Sequence, residues 1–248
     1  PQFRQLECIL SEIDPDGWAA GGAWDNANLN FRNTEYYPSF VAASFDKVGT
    51  FAREVGWDLK LLSWAFLFVG ERCFEGTRAF ATQGIDKPIF NLLRMYASMG
   101  DQLVNFTSGG ARDTLAYADA WGDAEPPDLG GFATAKDDGS VQVLLYRHHD
   151  DWDRADSAAV ELELAGLPAG SYRLAHTRLD GEHSNAYAEW LRQGRPIYPT
   201  PEQRAAIVAR SGLELAEPPR TLAAEGGSLR LAFDMPAHAI ALLEIAPA

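Results

Sequence analysis

Six residues in, the chain runs "LECILSEIDPDG" over 6–17: an apolar stretch, a glutamate at position 12, and then turn residues. The stretch Leu6–Ser11 has strand character, and Glu12 stands at its carboxyl end. In strand register Glu12 shares a face with Leu10 and Cys8, so it closes an otherwise apolar row. Functional residues of βα enzymes stand at such strand ends. A carboxylate partly stripped of water there suits the nucleophile of glycoside hydrolysis. The competing reading is a surface glutamate that caps a loop, and position alone leaves both open. A second candidate is Trp64, inside the apolar run "LKLLSWAFLF"; an aromatic ring near a barrel mouth can form the floor of a sugar subsite, or it can be core packing. A third is the loop "VGERCFEGTR", which holds Glu71, Arg72, Glu75 and Arg78. Charged side chains there can hold sugar hydroxyls through charge-assisted hydrogen bonds, or form solvated ion pairs of little worth.

The run "HHDDWD" at 148–153 has the residue types of a metal cluster. Adjacent residues of an extended segment point opposite ways, however, and no second ligand group stands at a recognisable spacing. It reads as a polar turn at a domain edge, and neither a metal nor a cofactor is expected. No G-x-G-x-x-G, P-loop, H-E-x-x-H or G-x-S-x-G pattern occurs.

The elements that must position these residues change character near residue 101. Before it, strands and helices alternate. "LECILS" is a strand, and a turn-rich stretch runs from Asp14 to about Asn33. Residues 35–55 form a helix, with Phe40, Val41, Phe45, Val48 and Phe51 at helical spacing, Pro38 early and Gly56 as its stop. "LKLLSWAFLF" is apolar on both faces, as a covered parallel strand would be. A loop spans roughly 69–86, and a helix follows from Pro88 to Gly100, striped by Ile89, Leu92, Leu93 and Tyr96. Two βα units with parallel strands result.

After residue 101 the period becomes two. Strands are expected at 141–146, 160–164, 171–176, 228–233 and 239–245, separated by turn signals such as Asp137-Asp138-Gly139 and Gly226-Gly227. These make an antiparallel sandwich, interrupted at about 182–217 by an insertion with a short helix after Pro201. The expected domains are therefore 1–100, part of a (β/α)₈ barrel, and 101–248, a β-sandwich. The fold class is α/β plus all-β. Two parallel strands leave edges and faces bare, so the first region reads as the end of something larger.

Composition narrows the partners. With 21 Lys+Arg against 35 Asp+Glu the formal charge is −14, which repels phosphate backbones and anionic membrane surfaces. No apolar run reaches the roughly 20 residues needed to span a bilayer. No secretory leader is visible, and Pro1 reads as a cut boundary. Cys8 and Cys73 are too distantly placed to pair readily, so reduced thiols and a cytoplasmic setting are the expectation, with a periplasmic one as the alternative.

With these residues in view, the chain resembles family 39 of the glycoside hydrolases, in its bacterial β-xylosidase branch. The likeness is carried by "ILSEIDPDGWAA" (9–20), "FRNTEYYPSFVAASF" (31–45), "LLSWAFLFVGERCFEGTRAFATQGIDKPIFNLLRMYASMG" (61–100) and "EHSNAYAEWLRQGRPIYPTPEQ" (182–203). The third is the most specific. The resemblance implies a (β/α)₈ TIM barrel followed by a β-sandwich, of which this chain holds strands seven and eight and the sandwich. It implies a retaining exo-acting β-xylosidase that takes terminal xylosyl units from xylo-oligosaccharides with two glutamates. Glu12 is then the implied nucleophile, Trp64 the tryptophan lining the sugar subsite, and Glu71 the loop glutamate that binds sugar hydroxyls. The acid/base glutamate of the family ends strand four in an Asn-Glu motif, and no position here matches it. The isolated chain is expected to be inactive, and the bare strand edges suggest a homo-oligomer. The alternatives are a non-catalytic sandwich module and another activity of the family, α-L-iduronidase. The basic groups that a uronic acid would need are not evident in the sequence.

Overall fold

The computed structural model describes residues 6–17, 22–63, 65, 71–113 and 126–248. Trp64 lies outside the described residues, so its expected place in a sugar subsite has no structural counterpart here.

The first strand, β1, is Cys8–Leu10, and it pairs in parallel with β2, Leu59–Leu61. β1 is shorter than the apolar run that contains it, and of the run expected as the second strand, residues 64 and 66–68 lie outside the described residues. Parallel pairing alone does not bury a strand, and Cys8, Ile9 and Leu10 are all exposed. Between the strands the turn-rich stretch contains a 3₁₀ helix, Ala27–Asn33, started by Asn26, whose side chain accepts from the Asn28 amide. Helix α1 follows over Tyr36–Val55 and ends on Gly56, whose left-handed backbone (φ 70°) turns its N–H back onto the carbonyls of Ala52 and Arg53.

The loop after β2 contains a small hairpin, β3 (Ala81–Thr82) with β4 (Ile85–Asp86). Helix α2, Pro88–Ser98, opens on a proline at its first position, where no intrahelical donor is lost. Gly100 follows because the chain there passes close to the next sheet: a Cβ would stand 2.3 Å from the Ala135 carbonyl oxygen. Its N–H instead donates to Thr134 Oγ1 at 2.8 Å and Gln142 Oε1 at 3.1 Å.

The remaining strands are β5 (Gln102–Val104), β6 (Asp128–Ala135), β7 (Val141–His148), β8 (Ser157–Ala165), β9 (Ser171–Leu179), β10 (Glu214–Leu215), β11 (Arg220–Ala223), β12 (Ser228–Pro236) and β13 (Ile240–Pro247). One antiparallel sheet runs β10-β9-β13-β7-β6-β5, with β11 also paired to β9. A second consists of β12 and β8, antiparallel over their whole length. Alternation along the central strands divides the core in two. Leu144, Tyr146, Leu179, Ile240 and Leu242 face α1 and α2, where they meet Val41, Ala42, Ile89, Leu92 and Met95. Val143, Leu145, Leu243 and Ile245 face the other way, onto Val160, Leu164, Leu229 and Leu231 of the β8–β12 pair. Helices, large sheet and small sheet thus form three layers.

The insertion carries two helices, not the single one expected: α3 (Ala186–Arg192), capped by Asn185, and α4 (Pro201–Ala209), capped by a reciprocal Thr200–Gln203 box. Both pack on the loop after β2, where Phe74 and Ile85 join Ala186, Tyr187 and Ile207 in a third buried cluster. Among the described residues no helix is long and apolar enough to cross a membrane.

Candidate functional site

Glu12 lies two residues past Leu10, the carboxyl end of β1, and is exposed to solvent, not partly stripped of water as the strand reading expected, because β1 itself is exposed. It has neither a hydrogen-bond nor an ion-pair partner among the described residues. The backbone beyond it is held firmly. Asp14 accepts from the Asp16 amide at 3.2 Å, a local turn typical of aspartate. Its carboxylate is only 7% exposed and receives two guanidinium groups. Arg32, from the 3₁₀ helix, donates Nη2 at 2.7 Å and Nε at 3.1 Å, and Arg78, from the loop after β2, donates Nη1 at 2.6 Å. These guanidiniums are 1% and 2% exposed. Arg32 also reaches the Asp16 carbonyl at 3.0 Å and stands over the Phe31 ring. A buried carboxylate is tolerable only when paired and hydrogen-bonded, and here two cations meet one anion. The lock ties the segment after Glu12 to the segment after β2.

The loop that holds Glu71 is stitched from several sides. Phe74 adopts a left-handed backbone (φ 54°); its N–H donates to Thr82 Oγ1 at 2.9 Å, and its carbonyl accepts from buried Asn33 at 3.2 Å. The Ala23 amide donates to the Glu75 carbonyl at 3.0 Å, and Gly22 bridges Gly76. The Glu71 side chain is half-buried and lies against Gly76, where a Cβ would stand 1.9 Å from its Oε2. Burial raises its carboxyl above the usual range, and the Lys87 ammonium opposes that shift. On the other side of the same glycine, fully buried Lys87 donates Nζ to the Gly76 carbonyl at 2.6 Å. Burial pushes the Lys87 ammonium down to about 7, against the pull of Glu71. Gly76 is therefore fixed by two close approaches: the carboxylate rests on its Cα and the amine holds its carbonyl.

The four charged residues of this loop divide. Arg72 and Glu75 pair with one another near the surface, where solvent screening leaves such a pair little weight. Glu71 and Arg78 are drawn inward. Nearby, Tyr37 of α1 shares a hydrogen with Ser63 Oγ at 2.8 Å, just past β2. Burial, reinforced by the Asp14 charge, pushes its hydroxyl up to about 12.

The polar run at 148–153 takes the place expected of it, at the end of β7. His148 is buried among Tyr36, Phe40 and His238, with Nδ1 2.9 Å from Ser39 Oγ, and His149 Nδ1 accepts from the Asp151 amide at 3.0 Å. Among the described residues no group of three His, Cys, Asp or Glu side chains is arranged to hold a metal ion. Cys8 and Cys73 are free thiols, one exposed and one buried.

Sequence reasoning missed Arg32, Lys87 and the role of Asp14. Arg32 lies in a turn-rich stretch without periodicity, and Lys87 precedes a helix. Only the doubled aspartate of "DPDG" hinted that a cation would be needed there.

The chain was compared with known proteins. Residues 64–228, well over half of it, match the family described as Glycosyl hydrolases family 39. α-L-Iduronidase of the dog, Canis lupus familiaris, is 33% identical over 115 residues, which cover 46% of this chain and 17% of that enzyme. Among solved structures, a bacterial orthologue of human α-L-iduronidase superposes with a TM-score of 0.78 at 19% identity, covering 100% of this chain and 43% of that one. A monomeric β-xylosidase from Caulobacter crescentus gives a TM-score of 0.74 at 14% identity, covering 98% of this chain and 46% of that one. The chain thus spans less than half the length of each. The sheet-rich fold, with five helical segments among the described residues, fits a partial (β/α)₈ barrel joined to a β-sandwich.

Proposed function

This chain belongs to glycosyl hydrolases family 39, and from that premise we propose that it carries the nucleophile half of a retaining β-xylosidase site. Residues 1–100 are the last two βα units of the barrel, β1 and β2 being its strands seven and eight, and residues 101–248 are the sandwich. The observation that carries the proposal is the position of Glu12. It lies two residues past the carboxyl end of a parallel strand and two residues before an aspartate whose carboxylate is clamped by two arginines. That clamp fixes the backbone from which a nucleophile must act, and fixed geometry is what makes attack fast.

In this reading the Glu12 carboxylate attacks the anomeric carbon of a terminal xyloside. The glycosidic C–O bond breaks, and the leaving oxygen takes a proton from the acid/base glutamate. A covalent xylosyl ester remains on Glu12. The same acid/base group then deprotonates a water molecule, which attacks the anomeric carbon and releases Glu12 and xylose with net retention. Such a pair of carboxyls stands about 5–5.5 Å apart. No position of these 248 residues matches the Asn-Glu motif of the acid/base residue, so the chain on its own is proposed to be inactive. Trp64 and Glu71 are proposed to bind the sugar. The raised carboxyl of Glu71 and the close amine of Lys87 make it a polar group sensitive to the hydroxyls before it.

A second reading, α-L-iduronidase, is favoured by the 33% identity to the dog enzyme. Against it, the buried guanidiniums of Arg32 and Arg78, which hold the segment just after Glu12, are directed at Asp14, which leaves the charge of a uronate poorly matched by them. Assay of the full gene product on an aryl β-xyloside and an aryl α-L-iduronide decides between them. Xyloside turnover that falls by several powers of ten in Glu12→Gln supports the proposal; unchanged turnover in Glu12→Gln removes it, and preference for the iduronide replaces it with the second reading.

A further inference from the structure

A cavity of about 340 Å³ opens on the side of the molecule where α1 and α2 meet β5 and β6. Its walls include none of Glu12, Glu71 or the residues that clamp their loops. The volume lies at the lower end of the range for small-molecule pockets. The apolar wall is formed by Phe45 stacked on Tyr96 (6.2 Å between centroids, 11° between planes), Phe132 tilted against Tyr96 at 6.0 Å, and Met99.

Three polar groups reach the same space. Tyr96 Oη is buried and has no hydrogen-bond partner in the described chain. A buried hydroxyl is nearly always bonded, so this one stands out as a donor and acceptor in waiting. The Asp46 carboxylate accepts from Tyr146 at 2.8 Å through Oδ2, and burial raises it above its ordinary range. Arg53 bonds Thr50 Oγ1 at 2.9 Å through Nη2 and has no carboxylate within ion-pair distance among the described residues.

We infer that this cavity is a second binding site that takes one neutral pyranose ring. A ligand must offer apolar surface to the aromatic wall and hydroxyls to Tyr96, Asp46 and Arg53. A purely apolar ring would leave the Tyr96 hydroxyl dry and unpaired and the Asp46 carboxylate with no hydrogen bond from the ligand, which is costly. A charged ligand meets a carboxylate and a guanidinium at once, so either sign of charge is opposed by one of them. A pyranose has C–H faces for the rings and an edge of hydroxyls that donate and accept. The site does not depend on the role of Glu12.

Saturation-transfer NMR on the full chain with methyl β-D-xylopyranoside tests this, with cyclohexanol as the apolar ring and sodium glucuronate as the charged one. The xyloside is expected to bind with Kd on the order of 1 mM, as its size allows. Tyr96→Phe, which keeps the ring and removes the oxygen, should weaken binding about tenfold, and Phe132→Ala should abolish it. Glu71→Ala should leave it unchanged, which separates this site from the proposed catalytic one. If Phe132→Ala does not fold, Tyr96→Phe carries the test alone. No saturation transfer, transfer undiminished by Tyr96→Phe, or tighter binding of cyclohexanol or glucuronate than of the xyloside would each overturn the inference.

Discussion

Asp14→Ala should destabilise the chain far more than any change at Glu12, two residues earlier. The Asp14 carboxylate is 7% exposed and is the shared acceptor of guanidiniums that are 1% and 2% exposed. Removing one partner of a buried pair costs about 3–5 kcal/mol, chiefly because a charge is left without its counterion. Two guanidiniums lose this partner here, although Arg32 keeps its bond to the Asp16 carbonyl and the Asp16 charge still acts on Arg78. For a chain of this size, about 2–4 °C of Tm accompanies each kcal/mol, so a fall of about 6–20 °C is expected. Asp14→Asn, which retains one acceptor oxygen, should fall at the lower end. Glu12 is exposed and unpartnered among the described residues, so Glu12→Gln should stay within about 0.5 kcal/mol of the parent. Urea unfolding followed by tryptophan fluorescence measures all three. Because the pair is buried, the Asp14 penalty should persist in high salt. A cost for Asp14→Ala below about 0.5 kcal/mol would refute the reasoning that this lock holds the segment behind Glu12.

Two pH dependences follow from buried bases. Lys87 is held to about 7 in the folded chain against 10.5 ordinarily, so between those values the unfolded chain binds one more proton and stability rises with pH. Relative to Lys87→Met, the parent should gain about 1.4 kcal/mol per pH unit over that window, read from urea midpoints; parallel curves would refute the burial argument. His238 and His176 are each pushed down by burial to about 4 from 6.5. Their neutral forms are therefore stable above pH 6.5, and stability should be lost as pH falls from 6.5 toward 4. His238→Asn, which tolerates the left-handed backbone at that position (φ 62°), should flatten the acid limb measurably; an unchanged acid limb would show that His238 is not kept neutral by the fold.

Much of the scaffold was legible before the structure, where periodicity was strong. The helix expected over 35–55 is observed as Tyr36–Val55, and the one opened by Pro88 ends at Ser98. The expected strands from 141 onward all occur, each longer than its alternating core. Strand β6 escaped because Gly130 and Gly131 interrupt its pattern. A Cβ on Gly130 would stand 2.1 Å from Tyr146 Oη, so the glycine exists to let that tyrosine cross the strand and reach Asp46. β1 shrank for the opposite reason: its residues are apolar, but parallel pairing with one described neighbour leaves them exposed. At the candidate site, Glu12 and Glu71 are proposed from strand-end logic and resemblance. The clamp could not, because Asp14, Arg32 and Arg78 are separated by 18 and 64 residues of chain and meet only through the fold. Lys87 was hidden for a similar reason: only burial, not spacing, makes a lysine before a helix unusual.

The central claim is that Glu12 forms the covalent bond to sugar. Incubating the full gene product with a 2-deoxy-2-fluoro-β-xyloside bearing a good leaving group should trap that ester, because the fluorine slows both formation and hydrolysis while the good leaving group restores only formation. Digestion and mass spectrometry should then find one fluoroxylosyl group on the peptide that contains Glu12, and none in Glu12→Gln. A label on any other residue, or a label that survives in Glu12→Gln, would contradict the account.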